Sequence, residues 1–226
     1  MSRIVIIFLL FISPVLAALL AWLGFLSARD NPIGGFLFLV GTVYILTMGF
    51  AIFIRRKDFW SQSNQKHLDQ EEKGDLSFWL IIPGMLVAFF SSPIEYLFFS
   101  AVPSIPIWLK MTGLILTVFG LAFFIWARKV LGSYYSGHVS VQNEHRLVQS
   151  GPYHFVRHPA YLGFLLMGLG ISLGYLSLLG LAVIPILLLP GLIYRINVED
   201  KQLDRQFGDE FREYAGKTAR LFPWLW

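Results

Sequence analysis

The sequence predicts an all-α fold: a polytopic membrane helical bundle of about six spans. The last two spans are expected to form a short helical hairpin, with a cytosolic amphipathic helix after them. Three observations predict this. Of the 226 residues, 56% are hydrophobic and only 14% charged, where soluble domains carry about 25% charged residues. The apolar residues gather into long uncharged runs separated by short polar segments. Lysine and arginine fall almost entirely on one side of those runs. Length alone allows one or two domains. The alternation of runs favours a single membrane domain over residues 1–226, with four spans in 1–127 and a C-terminal core in 128–226.

The first run, Ile4 to Leu26, holds no charge. A spanning helix needs about 20 such residues. Arg3 ahead of it and Ala17-Ala18 within it imitate a signal peptide. The run is too long for the apolar region of one and continues past the alanines, so it reads as an uncleaved span. The second run is Gly35 to Ile54. The third, Leu76 to Phe99, contains Pro83 and Pro93. The fourth is roughly Ile105 to Ala127, where Lys110 can snorkel to the interface. The last run, Ala160 to Tyr194, has no charge for 35 residues. As one helix it would be about 52 Å long, against a hydrocarbon core of about 30 Å. A hairpin of two short helices fits better, with the bend between Gly174 and Gly180. Gly170 and Gly174 have the spacing that lets helices approach closely.

With six crossings, one side holds Arg3, the Arg55–Lys73 loop, the Arg128–Arg157 segment and the C-terminal tail. That side carries 16 of the 18 lysines and arginines, leaving Arg29 and Lys110 on the other. The positive-inside rule puts the richer side, and both termini, in the cytoplasm. A bacterial or archaeal cytoplasmic membrane is expected rather than the endoplasmic reticulum. The net charge of +4 comes from these clusters and is no nucleic-acid footprint. There are no cysteines, which excludes disulfides, thiolate metal sites and a cysteine nucleophile.

Arg55 to Asp75 reads as a solvated connector. Asn197 to Tyr214 reads as one helix, because Leu203, Phe207, Phe211 and Tyr214 recur at steps of four, four and three and make an apolar stripe. The chain ends Leu-Phe-Pro-Trp-Leu-Trp, and tryptophan favours the membrane interface. There is no internal repeat and no low-complexity tract.

Chemistry concentrates between Leu131 and Pro159. His138, His145, His154 and His158, four of the five histidines, lie there with Tyr134, Tyr135, Tyr153 and, just beyond, Tyr161. Ionisable groups crowded at a membrane face mark a functional site, although composition alone equally fits a solvated interfacial loop. The histidines are spaced 7, 9 and 4 apart. No carboxylate pair sits at a zinc-ligand offset, and Pro159 interrupts any helix carrying His154 and His158, so no metal is expected. A serine-nucleophile elbow and a glycine-rich phosphate cradle are absent. Glu95, near the end of the third run, reads as an interfacial carboxylate.

Several ordered motifs resemble one family. Gly151-Pro152-Tyr153 is followed by Arg157-His158-Pro159-Ala160-Tyr161-Leu162-Gly163, after the step His145-Arg146-Leu147-Val148. Downstream come Arg195, the acidic pair Glu199-Asp200, Leu203, Phe207-Gly208-Asp209-Glu210-Phe211 and Tyr214. This array resembles the isoprenylcysteine carboxyl methyltransferase family, which is related to phospholipid methyltransferases, over about residues 127–223. The first hundred residues match only as generic spans.

The resemblance implies S-adenosylmethionine as cofactor, held by His145, Arg146, Leu147, Val148, Tyr153, His158, Pro159, Ala160, Tyr161 and Glu199, with Gln142 more weakly aligned. Arg195 would face the methyl acceptor, a lipophilic substrate entering from the bilayer, and would share the catalytic role with Glu199. Asp200 stands where the family has a second glutamate. The residue chemistry agrees. Backbone groups at Leu147-Val148 suit an adenine edge, Glu199 suits an ammonium or ribose hydroxyls, and the tyrosine faces suit a sulfonium. Arg195, directly after the last apolar run, suits a carboxylate at the lipid–water boundary. Arg157 reads as an anchor rather than a catalyst. The implied reaction is methylation of the carboxylate of a prenylcysteine-like substrate. Methylation of a phospholipid or small amine is the alternative. An NADPH-dependent membrane reductase shares the C-terminal architecture, but the Arg157-His158-Pro159 triplet and Glu199-Asp200 favour the methyl donor.

Overall fold

In the computed structural model, residues 13–42, 77–99, 104–132 and 147–222 are described. The Arg55–Asp75 connector, most of the second run, Tyr134, Tyr135, His138, Gln142, His145, Arg146 and the last four residues lie outside them. Among the described residues every long element is a helix. They are α1 (Ser13–Asp30), α2 (Pro32–Thr42), α3 (Ser77–Phe98), α4 (Ile107–Leu131), α5 (Pro159–Tyr175), α6 (Leu178–Phe207) and α7 (Asp209–Lys217). α4 and α6 are each long and apolar enough to cross a membrane; α2 and α5 are shorter apolar helices.

Helices α1 and α2 are separated by one residue. Asn31 accepts from the Gly34 amide at 3.1 Å through its side-chain oxygen, and Pro32 follows it. An asparagine cap with proline at the first helical position starts a helix well, because that proline lacks an N–H no helix partner could use. The Asn31 side chain also donates to the Gly174 carbonyl at 3.0 Å, tying this reversal to the end of α5.

The α4–α5 pair is a glycine seam. Gly113 and Gly120 on α4 face Gly170 and Gly163 on antiparallel α5, seven residues apart on each helix. A methyl built on Gly163 would lie 2.7 Å from the Gly120 carbonyl oxygen, and one on Gly170 would lie 2.6 Å from that of Gly113. The sequence pointed to Gly170 and Gly174. The structure adds Gly113, Gly120 and Gly163, which only a partner helix can reveal.

The hairpin bend falls at Leu176-Ser177, inside the expected Gly174–Gly180 window. Leu176 takes a left-handed conformation (φ 53°), unusual for a branched side chain. Ser177 then caps α6, accepting from the Gly180 amide at 2.9 Å. Glu95 completes this cap from α3. It accepts from the Ser177 hydroxyl at 2.6 Å and from the Leu178 and Leu179 amides at 3.1 Å each. A carboxylate at exposed helix amides is satisfied by hydrogen bonding and by the helix dipole, so Glu95 is a cap at this end of the bundle.

Two expectations need correction. The second arm of the hairpin is not short: α6 runs 30 residues, well past Tyr194 into polar sequence. A π turn at Ile184–Leu188 is built into it, where Pro185 has no N–H to donate and crowds the preceding turn. The Asn197–Tyr214 stripe is not one helix. Gly208, with φ of +53°, ends α6 and starts α7. Leu203 and Phe207 are half-buried on α6, whereas Phe211 and Tyr214 are buried on α7. The period survives the break because the chain turns without leaving the surface it covers.

Two apolar clusters fill the interior. One joins Ala88 of α3, Leu162 and Leu165 of α5, Leu188, Leu192 and Ile196 of α6, and Val156 and Leu221. The other joins Leu37 and Phe38 of α2, Phe89 of α3, and Ile171 and Tyr175 of α5.

Candidate active site

The site is assembled at the polar end of the α5–α6 hairpin, where the apolar part of α6 stops. Its geometry begins with Pro159. The residue before a proline avoids helical backbone, and His158 is non-helical accordingly (φ −121°, ψ 60°). Its amide is thereby turned away from the helix and donates to the Arg220 carbonyl at 3.1 Å. The Arg157 amide donates to the Ala219 carbonyl at 2.8 Å. Val156 and Ala219 form a parallel bridge. The C-terminal segment is thus laid along the entry to α5, and buried Leu221 anchors it in the core.

On α6, Arg195, Glu199 and Asp200 lie one turn apart on the side facing that entry. Arg195 Nε donates to Glu199 Oε1 at 2.8 Å. Tyr161, in the first turn of α5, donates its hydroxyl to the same oxygen at 2.5 Å. His158 sits between the two carboxylates, with Nε2 at 2.8 Å from Asp200 Oδ1 and Nδ1 at 3.4 Å from Glu199 Oε2. Asp200 Oδ2 lies 3.1 Å from Arg220 Nε and 3.5 Å from Arg157 Nη2, ion pairs without hydrogen-bond alignment. The His158 and Tyr161 rings are nearly parallel, 5.7 Å apart.

His158 is buried, and burial disfavours its charged form. Hydrogen bonds to Asp200 and Glu199 and the charges of both outweigh this, so its pKa is raised above the usual histidine value. An imidazolium donates from both ring nitrogens, which is what two flanking carboxylates require.

The supporting contacts explain the remaining motif residues. Arg157 donates through Nη1 to the carbonyls of Ala215 (2.9 Å) and Thr218, closing the end of α7 onto Asp200; the anchor expected from sequence is this clamp. Tyr214 donates to the Tyr153 carbonyl at 2.7 Å. Burial pushes the Tyr214 phenol up to about 12, so it stays a neutral donor. Tyr153 lies buried in a 3₁₀ turn, Gly151–His154, that packs beside α4.

The structure therefore brings His158, Tyr161, Arg195 and Glu199 into one cluster, with Pro159 and Ala160 in the helical turn between the first two. Leu147 and Val148 are half-buried in the irregular stretch leading into the 3₁₀ turn, and the Tyr153 carbonyl is held by Tyr214 of α7. His154 is exposed, edge-on to Phe155, and does not face the cluster. Gln142, His145 and Arg146 are among the residues not described. Sequence reasoning missed Arg220 and Asn197, which meet at 3.3 Å, and left the role of Asp200 open. The only sequence trace of Arg220 is its place beside Leu221 in a polar–apolar alternation.

Residues 113–205 match the isoprenylcysteine carboxyl methyltransferase family. The matched segment is less than half of the chain. Among curated relatives, the protein-S-isoprenylcysteine O-methyltransferase of Saccharomyces cerevisiae is 36% identical over 84 residues, which is 37% of this chain and 35% of that protein. The enzyme of the same name from Xenopus laevis is 32% identical over 122 residues, covering 52% and 42%. The human one is 31% identical over 124 residues, with the same coverage. The matches thus span less than half the length of these relatives. A solved structure of the eukaryotic intramembrane Ras methyltransferase ICMT superposes with a TM-score of 0.61, at 22% identity, over 93% of this chain and 73% of that one. At that identity the likeness shows a shared helical fold and nothing more. Gly113, where the family match begins, is also where the glycine seam begins.

Proposed function

We propose that this protein is an integral membrane methyltransferase that uses S-adenosylmethionine to methylate the carboxylate of a prenylcysteine-like, lipophilic substrate. The observation that carries the reading is the joining of two distant motifs, His158–Tyr161 and Arg195–Glu199, into one largely buried charged cluster at the end of an apolar helix. Intramembrane and boundary charges of this kind mark function.

The residues fit such a cofactor. Glu199 supplies an anion for an ammonium or for ribose hydroxyls. The Tyr161 ring presents a face of the type that attracts a sulfonium, a contact of roughly 0.5–2 kcal/mol. Leu147 and Val148, outside any helix, provide amide and carbonyl groups for a base edge. When bound, the cofactor supplies an electrophilic methyl group.

Arg195 and Glu199 stand four residues apart on one helix face, so whatever Glu199 holds lies beside what Arg195 holds. A guanidinium has five donors in a fixed fork, enough to keep Glu199 and orient a second carboxylate. Transfer between a carboxylate and a sulfonium removes two opposite charges. A water-poor site at the end of α6 favours that step over the separated ions, and fixing the acceptor in line supplies much of the rate. No base is required for an ionised carboxylate. The bias of lysine and arginine toward one side supports six crossings and a cytoplasmic site, with the acceptor arriving laterally from the lipid.

The test is incubation of the full chain in lipid nanodiscs with methyl-labelled S-adenosylmethionine and a farnesylated cysteine. Base-labile label in the organic phase is expected. Label in lipid headgroups would assign amine chemistry instead. Thermal stabilisation by NADPH, with none by S-adenosylhomocysteine, would overturn the methyltransferase reading.

A further inference from the structure

Five side chains alternate in charge across the site: Arg220, Asp200, His158, Glu199 and Arg195. Successive contacts are 3.1, 2.8, 3.4 and 2.8 Å. The chain of contacts starts on the C-terminal segment and ends at the residue proposed to face the methyl acceptor. We propose that Arg220 is a positioning residue: by holding Asp200 it orients His158, and through His158 it sets the placement of Glu199 and Arg195.

Three observations carry this. Arg220 is fixed at both ends of its side chain. Its backbone carbonyl accepts from the His158 amide, and its guanidinium reaches Asp200 Oδ2 and Asn197 Oδ1. The segment carrying it is pinned on both flanks, by the bridge at Ala219 and by buried Leu221. Asp200 is shared, with Oδ1 on His158 and Oδ2 on the two guanidiniums, so loss of one cation frees the carboxylate to turn toward the imidazole. Among the described residues, the charged and titratable groups around His158 are Asp200, Glu199 and Arg195 of α6, Tyr161 of α5, Arg157 beside it, Arg220 of the C-terminal segment, and Tyr214 of α7 behind Arg157 and Asp200. Of the two guanidiniums on Asp200, Arg220 is the one that can be removed without also opening the clamp by which Arg157 holds the end of α7.

The proposal rests on the methyltransferase reading for its consequence and not for its test. The His158 ring is followed by NMR in the ¹⁵N-histidine-labelled full chain, assigned by the signal missing in His158→Gln. Arg220→Gln takes a positive charge from beside Asp200. The His158 midpoint is then expected to rise by about 0.5–1 pH unit, and S-adenosylhomocysteine binding to weaken about tenfold. Arg220→Lys is expected to restore most of both. Asn197→Ala keeps the charge and loosens its anchor, and is expected to give a smaller shift in the same direction; it carries the test if Arg220→Gln does not fold. An unchanged midpoint in folded Arg220→Gln, or Lys and Gln variants that behave alike, would overturn the proposal. If the wild-type chain binds no S-adenosylhomocysteine and transfers no methyl group, the cofactor reading fails, while the midpoint shift still decides the role of Arg220.

Discussion

Replacing Gly170 with alanine tests the seam that positions α5. A methyl at this position would lie 2.6 Å from both the Gly113 carbonyl oxygen and the Thr117 amide nitrogen. That is 0.8 Å inside the 3.4 Å at which ordinary contact begins. The Thr117 hydroxyl oxygen is nearer still, but even if that side chain rotates away the two backbone atoms remain, so α4 and α5 must separate by most of that distance. Overpacking of this kind costs about 1–3 kcal/mol. Alanine's better helix propensity returns about 0.5–1 kcal/mol. With backbone met at 2.6 Å on two sides the upper part of the overpacking range, about 2–3 kcal/mol, applies, so the expected net loss is about 1–2.5 kcal/mol, read as a lower midpoint in denaturant or thermal unfolding in detergent micelles. Gly216 is the matched control. It lies exposed in α7 with nothing within 4 Å of a built methyl, so Gly216→Ala should gain about 0.5 kcal/mol. Since α5 also carries Tyr161 at its start, the displacement should reduce methyl transfer by about tenfold or more. A Gly170→Ala protein as stable as wild type, measured beside the stabilised Gly216→Ala, would refute close backbone contact as the basis of the seam.

Glu199→Gln keeps shape but removes the anion shared by Arg195, Tyr161 and His158. Calorimetry should show S-adenosylhomocysteine binding weakened about 100-fold, equivalent to about 2.7 kcal/mol, with a lower unfolding midpoint because Arg195 loses its buried partner. Stability should depend on pH through His158. Its folded pKa lies above the ordinary 6.5, so its contribution is complete below that value and is lost as pH rises through the folded pKa. Unfolding midpoints should therefore fall as pH climbs above about 6.5, and this slope should be missing in His158→Gln. Glu95→Gln weakens the cap on α6, which serves Ser177, Leu178 and Leu179, at a cost of about 1 kcal/mol. It should leave S-adenosylhomocysteine affinity unchanged, because the cap lies at the opposite end of the hairpin.

Much of the helical layout was legible because membrane helices announce themselves by length and uniform apolarity. α3 matches its predicted run within a residue or two, and α4 extends only one turn further, through Arg128 and Lys129. The end of α6 was less legible. Hydropathy falls at Arg195, but backbone hydrogen bonding continues to Phe207, since a helix needs no change in its ladder when its side chains turn polar. The break at Gly208 was hidden by an apolar period that continues through it.

By itself, the sequence determined that the chain is helical and apolar enough for a membrane, where the hairpin bends, and which two motifs carry the charged residues. These are local properties, read from runs, breakers and spacing. Only the tertiary structure decided that the two motifs meet, that Glu95 caps α6, that five glycines form one α4–α5 seam, and that Arg220 closes on Asp200 from the C-terminal segment. The physical reason is range: a hydrogen bond between residues 42 apart, such as His158 to Asp200, leaves no periodic trace in either stretch. It exists because Pro159 holds His158 out of the helical conformation at the head of α5 while α6 returns its acidic pair to the same level.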